Sequence, residues 1–231
     1  MQGFSNRIVA GQALAEALLE KEYADPVVLA LPRGGVPVGL EVARVLGAPL
    51  DLVMVRKIGV PYQPELAAAA VVNGAHPELV VNEDIAAHAG LSRKELDGLA
   101  DVQLKEIKRR RQIYLKGRVQ VPVEGRTAIL VDDGIATGAT TRAALKAVRR
   151  RNPAKLVLAV PVAPADTLDA LRDDVDEIVC LVTPHFFYAI GAHYVDFNQV
   201  PDEEVVRLLE DADRALSVRA MKPGEGELPE N

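Results

Sequence analysis

The chain has 231 residues, with 27 Lys+Arg against 33 Asp+Glu, a net charge of −6 and 49% hydrophobic residues. This length suits one large domain or a domain with a small appendage, and the apolar fraction is enough for a core, so a disordered chain is excluded. A single cysteine, Cys180, excludes a disulfide scaffold and a multi-cysteine metal cluster, and the acidic balance argues against a protein whose main work is gripping nucleic acid.

The first 23 residues alternate apolar and charged positions without the apolar run of a signal peptide, and no stretch of 18 apolar residues follows. The expectation is a soluble, cytoplasmic protein that does not touch the membrane. Ile8, Leu14, Ala15, Leu18 and Leu19 make a helical stripe over residues 7–23. A β-prone run at 27–31 stops at Pro32, Arg33-Gly34-Gly35 follows, and a helix over 36–46 ends at Gly47. Residues 50–58 and 66–72 read as the second and third strands. Strand, glycine-rich turn, helix and strand in that order predict the βαβ unit of a parallel sheet.

Ser92 and Glu95 form a capping box, which predicts a long polar helix to about Lys116. A buried-type strand at 126–131 then ends in Asp132-Asp133-Gly134, and a helix runs from near Gly138 to Arg151. Strands are expected at 155–160 and 175–182 with a short helix over 164–172 between them. A last helix spans 202–216.

The segment AILVDDGIATGATT, residues 128–141, carries the most chemical information. A strand delivers two carboxylates at its C-terminal end, where open α/β sheets bind ligands. The small residues and hydroxyls after it lead into a helix N-terminus, and backbone N–H groups there make a phosphate cradle. A bland reading is a tight Asp-Asp-Gly turn with Thr137 capping a helix, but a turn needs neither two acids nor three threonines. Upstream, Gly34 and Gly35 let the backbone approach an anion closely, and Arg33 offers a fork for phosphate oxygens. Arg56 and Lys57 end the predicted second strand beside a Gly/Pro loop.

Together these segments resemble the type I phosphoribosyltransferases, and the blocks FSNRIVAGQALA and RKIGVPYQPELAAAAVV resemble a bacterial branch of that family. The resemblance covers roughly residues 4–209. It implies an α/β fold with a central, mostly parallel sheet flanked by helices, an inserted long helix and a small C-terminal hood. The matching division is a core at 1–183, with an inserted helical segment at 83–117, a hood and C-terminal helix at 184–217, and a disordered tail at 218–231.

The resemblance also implies a function: transfer of 5-phosphoribosyl from phosphoribosyl pyrophosphate (PRPP) to a nitrogenous base, releasing pyrophosphate, with Mg2+. Asp132 and Asp133 would hold the ribose hydroxyls and Mg2+. Ile135, Ala136, Thr137, Gly138, Ala139, Thr140 and Thr141 would bind the 5′-phosphate. Gly34, Gly35 and Arg33 would meet pyrophosphate, and Arg56 and Lys57 would belong to a mobile loop closing over it. The alternative on the same fold is a PRPP- or nucleotide-sensing regulator without transfer.

Other chemistries find little support. The three serines, Ser5, Ser92 and Ser217, lie in no nucleophile elbow, and His76, His88, His185 and His193 have no zinc spacing. Cys180, in an apolar strand, reads as core. His185-Phe186-Phe187-Tyr188 either serves an acceptor pocket or fills the core. Residues 105–118 hold seven bases against Glu106 alone, a local +6 that reads as a solvated face, a partner surface or a guide for anions. Without interleaved aromatics it is a poor platform for single strands. A homodimer remains open.

Overall fold

The structure, a computed structural model, describes residues 3–61, 63–72 and 78–220, so Tyr62, His76 and the tail from residue 221 lie outside the described residues. Its elements in order are α1 (Arg7–Leu19), β1 (Pro26–Ala30), α2 (Gly35–Leu46), β2 (Leu50–Leu52), β3 (Val55–Val60), β4 (Gln63–Val72), β5 (Glu78–Val81), α3 (Glu83–His88), α4 (Arg93–Tyr114), β6 (Thr127–Val131), α5 (Ala139–Arg149), β7 (Lys155–Val162), α6 (Ala165–Leu171), β8 (Glu177–Val182) and α7 (Asp202–Ala220).

Five strands form one sheet in the order β2-β1-β6-β7-β8, every neighbouring pair parallel. The apolar runs of its central strands are needed on both faces, because helices cover both. Val28, Ala30, Ile129, Val131, Val157 and Ala159 pack with α1, α2 and α7. Their neighbours one position away, Val27, Leu29, Ala128, Leu130, Leu156 and Leu158, pack with α5 and α6. The predicted βαβ unit is β1–α2–β2, with Val28 opposite Leu50.

Two expectations are corrected. Residues 50–58 are not one strand: β2 stops at Leu52, the chain leaves the parallel sheet, and β3 begins at Val55 in a separate three-stranded sheet ordered β3-β4-β5. Only two residues separate Val60 from Gln63 in the sequence, which allows antiparallel pairing, whereas a parallel return needs a crossover of about a dozen residues. The insertion between β2 and β6 therefore carries this antiparallel sheet as well as α3 and α4. The second correction concerns α7, which runs to Ala220, past the expected end at 216 and into the segment expected to be disordered. Arg219 sits there with its guanidinium against the carbonyls of Arg44 and Val45 at the end of α2, both at 3.4 Å.

The capping box at α4 is present in both directions, with Ser92 Oγ accepting from Glu95 N–H and the Glu95 carboxylate accepting from Ser92 N–H. Arg118, just beyond α4, donates to the carbonyls of Leu50 and Leu209 and pairs with Asp213. It thereby ties the end of the insertion to β2 and α7. No helix among the described residues is long and apolar enough to cross a membrane.

Candidate functional site

The site forms where β1 and β6 end side by side. These strands pair in register from Pro26–Thr127 to Ala30–Val131, and Leu31 N–H extends the ladder to the Val131 carbonyl at 2.9 Å. The 31–36 turn and Asp132-Asp133 are therefore neighbours at the C-terminal edge of the sheet. The Pro32–Arg33 peptide is cis.

The two glycines are explained by this adjacency. A Cβ on Gly34 would lie 2.0 Å from Asp133 Oδ2, and one on Gly35 would lie 2.8 Å from the Val131 carbonyl oxygen and 3.0 Å from Asp132 Cα. Any side chain at either position would collide with the acidic pair.

The carboxylates are not equivalent. Asp133 is 7% exposed, and its Oδ2 accepts from Arg7 Nε at 2.7 Å. Arg7 comes from the first turn of α1, donates to the Asn198 carbonyl, and lays its guanidinium 3.9 Å from the Phe197 ring centre. Tyr194 donates its hydroxyl proton to the Asp133 carbonyl. Asp132 is only half-buried, and its Oδ1 accepts from Asp133 N–H at 2.9 Å. Burial raises both carboxyls above the usual range, Asp132 strongly and with help from the Asp133 charge, Asp133 against the pull of Arg7.

After Gly134 the chain threads between β7 and α6. Ile135 N–H bonds the Val162 carbonyl, and Thr167 donates its hydroxyl proton to the Ala136 carbonyl. Gly138 is the N-cap of α5 with a φ of 75°, a left-handed conformation that favours glycine. Ala136, Thr137 and Thr140 are exposed, Ala139 is half-buried, and Ile135, Gly138 and Thr141 are buried. The open side chains, and the N–H groups that the first turn of a helix leaves without intrahelical partners, suit an anion.

Arg56 and Lys57 depart from expectation. They stand inside β3, opposite Val71 and Ala70, rather than at the end of a strand, because β4 returns and pairs with them. Arg56 Nε donates to Gln103 in α4. Arg33 reaches Asp202, at the start of α7, across 3.4 Å. Of the aromatic run, Phe187 stacks on His193, whereas Phe186 and Tyr188 are each 95% exposed, so only Phe187 fills a core. Cys180 is half-buried and its thiol is pushed up by burial, which fits the core reading.

Arg7, Tyr194, Tyr114 and Asp202 were absent from the sequence-based site. Each is distant along the chain from its hydrogen-bond partner at the site: Arg7 and Asp133 are 126 residues apart, Tyr194 and Asp133 61, Tyr114 and Asp202 88. No local spacing could have flagged the pair.

Among the described residues no group of three or more His, Cys, Asp or Glu is poised to hold a metal ion. A hard divalent cation that keeps its waters and takes its other oxygens from a phosphorylated ligand needs no such group. Asp132 fits that role; Asp133, with one oxygen on Arg7, fits it less well.

Residues 5–197 match the model of the phosphoribosyl transferase domain. Proteins from two strains of Mycobacterium tuberculosis, each named "putative phosphoribosyl transferase", are 45% identical over 214 residues, 93% of this chain and 48% of theirs. The chain thus spans about half the length of these curated relatives. The crystal structure of TT1426 from Thermus thermophilus superposes with a TM-score of 0.81 at 42% identity, covering 90% of this chain and 98% of that one.

Proposed function

Because the chain belongs to the phosphoribosyl transferase domain family, we propose that it transfers 5-phosphoribosyl from PRPP to a nitrogenous acceptor and releases pyrophosphate. The observation that carries this reading is the fit of the Gly34-Gly35 turn against Asp132-Asp133, beside the N-terminus of α5. On this reading an anion-accepting turn, a carboxylate for the sugar and a phosphate cradle share one sheet edge.

Displacing pyrophosphate from C1 builds positive charge on the ribose and negative charge on the leaving group. The chain answers both with groups fixed before the reaction, the condition under which electrostatic stabilisation is strongest. Asp132 faces the ribose hydroxyls and the developing cation. The exposed Thr137 and Thr140, with the amides leading into α5, hold the 5′-phosphate. Arg33 and the amides of Gly34 and Gly35 take up the leaving group. Lys57 and Arg56 add positive charge from β3. Asp132 would be the carboxylate that holds Mg2+ bound with PRPP, and the ion would supply positive charge against the pyrophosphate oxygens. Asp133, held by Arg7, keeps the turn and the sheet edge in place.

A second reading, a PRPP- or nucleotide-sensing regulator, is favoured by one observation: Arg33 and Asp133 already have ion-pair partners, Asp202 and Arg7. A pyrophosphate-release screen with PRPP, Mg2+ and a panel of bases separates the two. Under the transferase reading one or more bases release pyrophosphate, and Asp132→Asn lowers that rate about 100-fold or more. PRPP bound without release across the panel would establish the sensor instead.

A further inference from the structure

Arg33 does not stand alone at the mouth of the 31–36 turn. Its Nη1 lies 3.4 Å from Asp202 Oδ1, and the same oxygen accepts the Tyr114 hydroxyl proton at 2.5 Å. Three separate elements converge here: the β1–α2 turn, the last residue of α4 and the first of α7. Tyr114 is 2% exposed, and burial together with the Asp202 carboxylate pushes its hydroxyl up to about 12, so it remains a donor through the physiological range. Arg109 and Arg110, one turn before Tyr114, are engaged by Glu106; Arg109 also adds a favourable charge toward Asp202, while Arg33 makes the ion-pair contact with it.

Asp202 is anchored independently of Arg33. It opens α7, where the helix dipole favours a negative charge, and its oxygen is tied to a buried phenol. Among the described residues the Arg33 guanidinium, by contrast, makes one long contact through a single nitrogen, which leaves the rest of its fork open to another anion. A fixed carboxylate with a loosely attached guanidinium suits a residue that must be aimed and still be able to turn.

We propose that Asp202, fixed by Tyr114, is a positioning residue for Arg33, holding its guanidinium where the 31–36 turn meets pyrophosphate. This rests on the phosphoribosyl reading of the site. The arrangement also gives the C-terminal end of α4 a purpose: it fixes the phosphate-facing arginine through Tyr114.

The test is calorimetric titration of the full chain with inorganic pyrophosphate in Mg2+ buffer, with melting temperatures recorded in parallel. Arg33→Ala is expected to weaken binding about tenfold or more, and Asp202→Ala to weaken it about tenfold, a difference equivalent to about 1.4 kcal/mol. In the Arg33→Ala background Asp202→Ala should add nothing, because its effect passes through Arg33. Tyr114→Phe, which keeps the buried ring, should reproduce part of the loss, and Asp202→Glu should restore part of it. Equal losses from Asp202→Ala with and without Arg33 would overturn the proposal. So would a lowered melting temperature with unchanged pyrophosphate affinity. A wild-type chain that binds neither pyrophosphate nor PRPP would overturn the phosphoribosyl reading and this proposal together, whereas wild-type binding that Asp202→Ala leaves intact overturns the proposal alone.

Discussion

Asp133 shows what a single residue can conceal in a sequence. As half of an acidic pair at a strand end it was legible, because the strand, the acids and the glycine-rich turn are contiguous. Its partner was not, since Arg7 meets it only after the whole sheet has formed. The side chains of Arg7 and Asp133 are 12% and 10% exposed, so removing the cation leaves a carboxylate stranded in a dry site. Arg7→Met is expected to destabilise the fold by about 3–5 kcal/mol, read by urea denaturation; a loss well under 1 kcal/mol would mean that the pair is effectively solvated. Gly34 is constrained by the same contact. Gly34→Ala places a methyl group on a carboxylate that Arg7 pins, so the turn must shift, at about 1–3 kcal/mol. Pyrophosphate affinity should fall with it, and an alanine variant that melts and binds like the wild type would show that the turn yields freely.

Among elements, helices and central strands were the easiest to read, and the insertion the hardest. The pattern at 50–58 is uniformly apolar to Ile58 apart from Asp51 and the Arg56-Lys57 pair, and nothing in it marks Val53-Met54 as the place where the chain changes sheets. The change is decided by tertiary pairing: β2 has β1 beside it, while β3 has β4. Asp51 belongs to this junction. Its oxygens accept from Leu52 N–H and Val121 N–H, which hold the chain leaving the insertion against β2. Burial outweighs these bonds and the nearby Arg151 and Arg118, so its carboxyl is raised above the ordinary value of 3.8. A raised carboxyl contributes stability that is complete below the unfolded value and is lost as pH rises through the folded one. The stability advantage of wild type over Asp51→Asn should therefore be largest in acid and shrink as pH rises. Paired urea titrations across that range check this, and an advantage that grows with pH would place the hydrogen bonds above burial.

At the scale of the molecule, the net charge of −6 proved a poor guide to the site. Arginines of the basic run are spent within the fold: Arg109 and Arg110 on Glu106, Arg118 on α7 and β2. The acidic chain meanwhile keeps Arg33, Arg56 and Lys57 in the turn and hairpin proposed to face phosphate. The parallel sheet and its flanking helices followed from the order of the apolar runs, and the place of the candidate site from where the acids fall on the sheet edge. What could not be read was the layer of long-range ties, through Arg7, Tyr114 and Asp202, that connects this edge to α1, α4 and α7.

Arg118 has a consequence beyond the contacts it makes. The strand β2 is one edge of the five-stranded sheet, and open edges invite another strand to add on. Here the Leu50 carbonyl is already claimed by Arg118, and the Asp51 carboxylate has drawn the 121 segment alongside. A second copy trying to lengthen the sheet at this side would have to strip away a guanidinium that also clamps the last helix. The molecule is sealed where a ribbon-like assembly would otherwise start, and self-association by sheet extension at β2 would first require undoing part of its own fold.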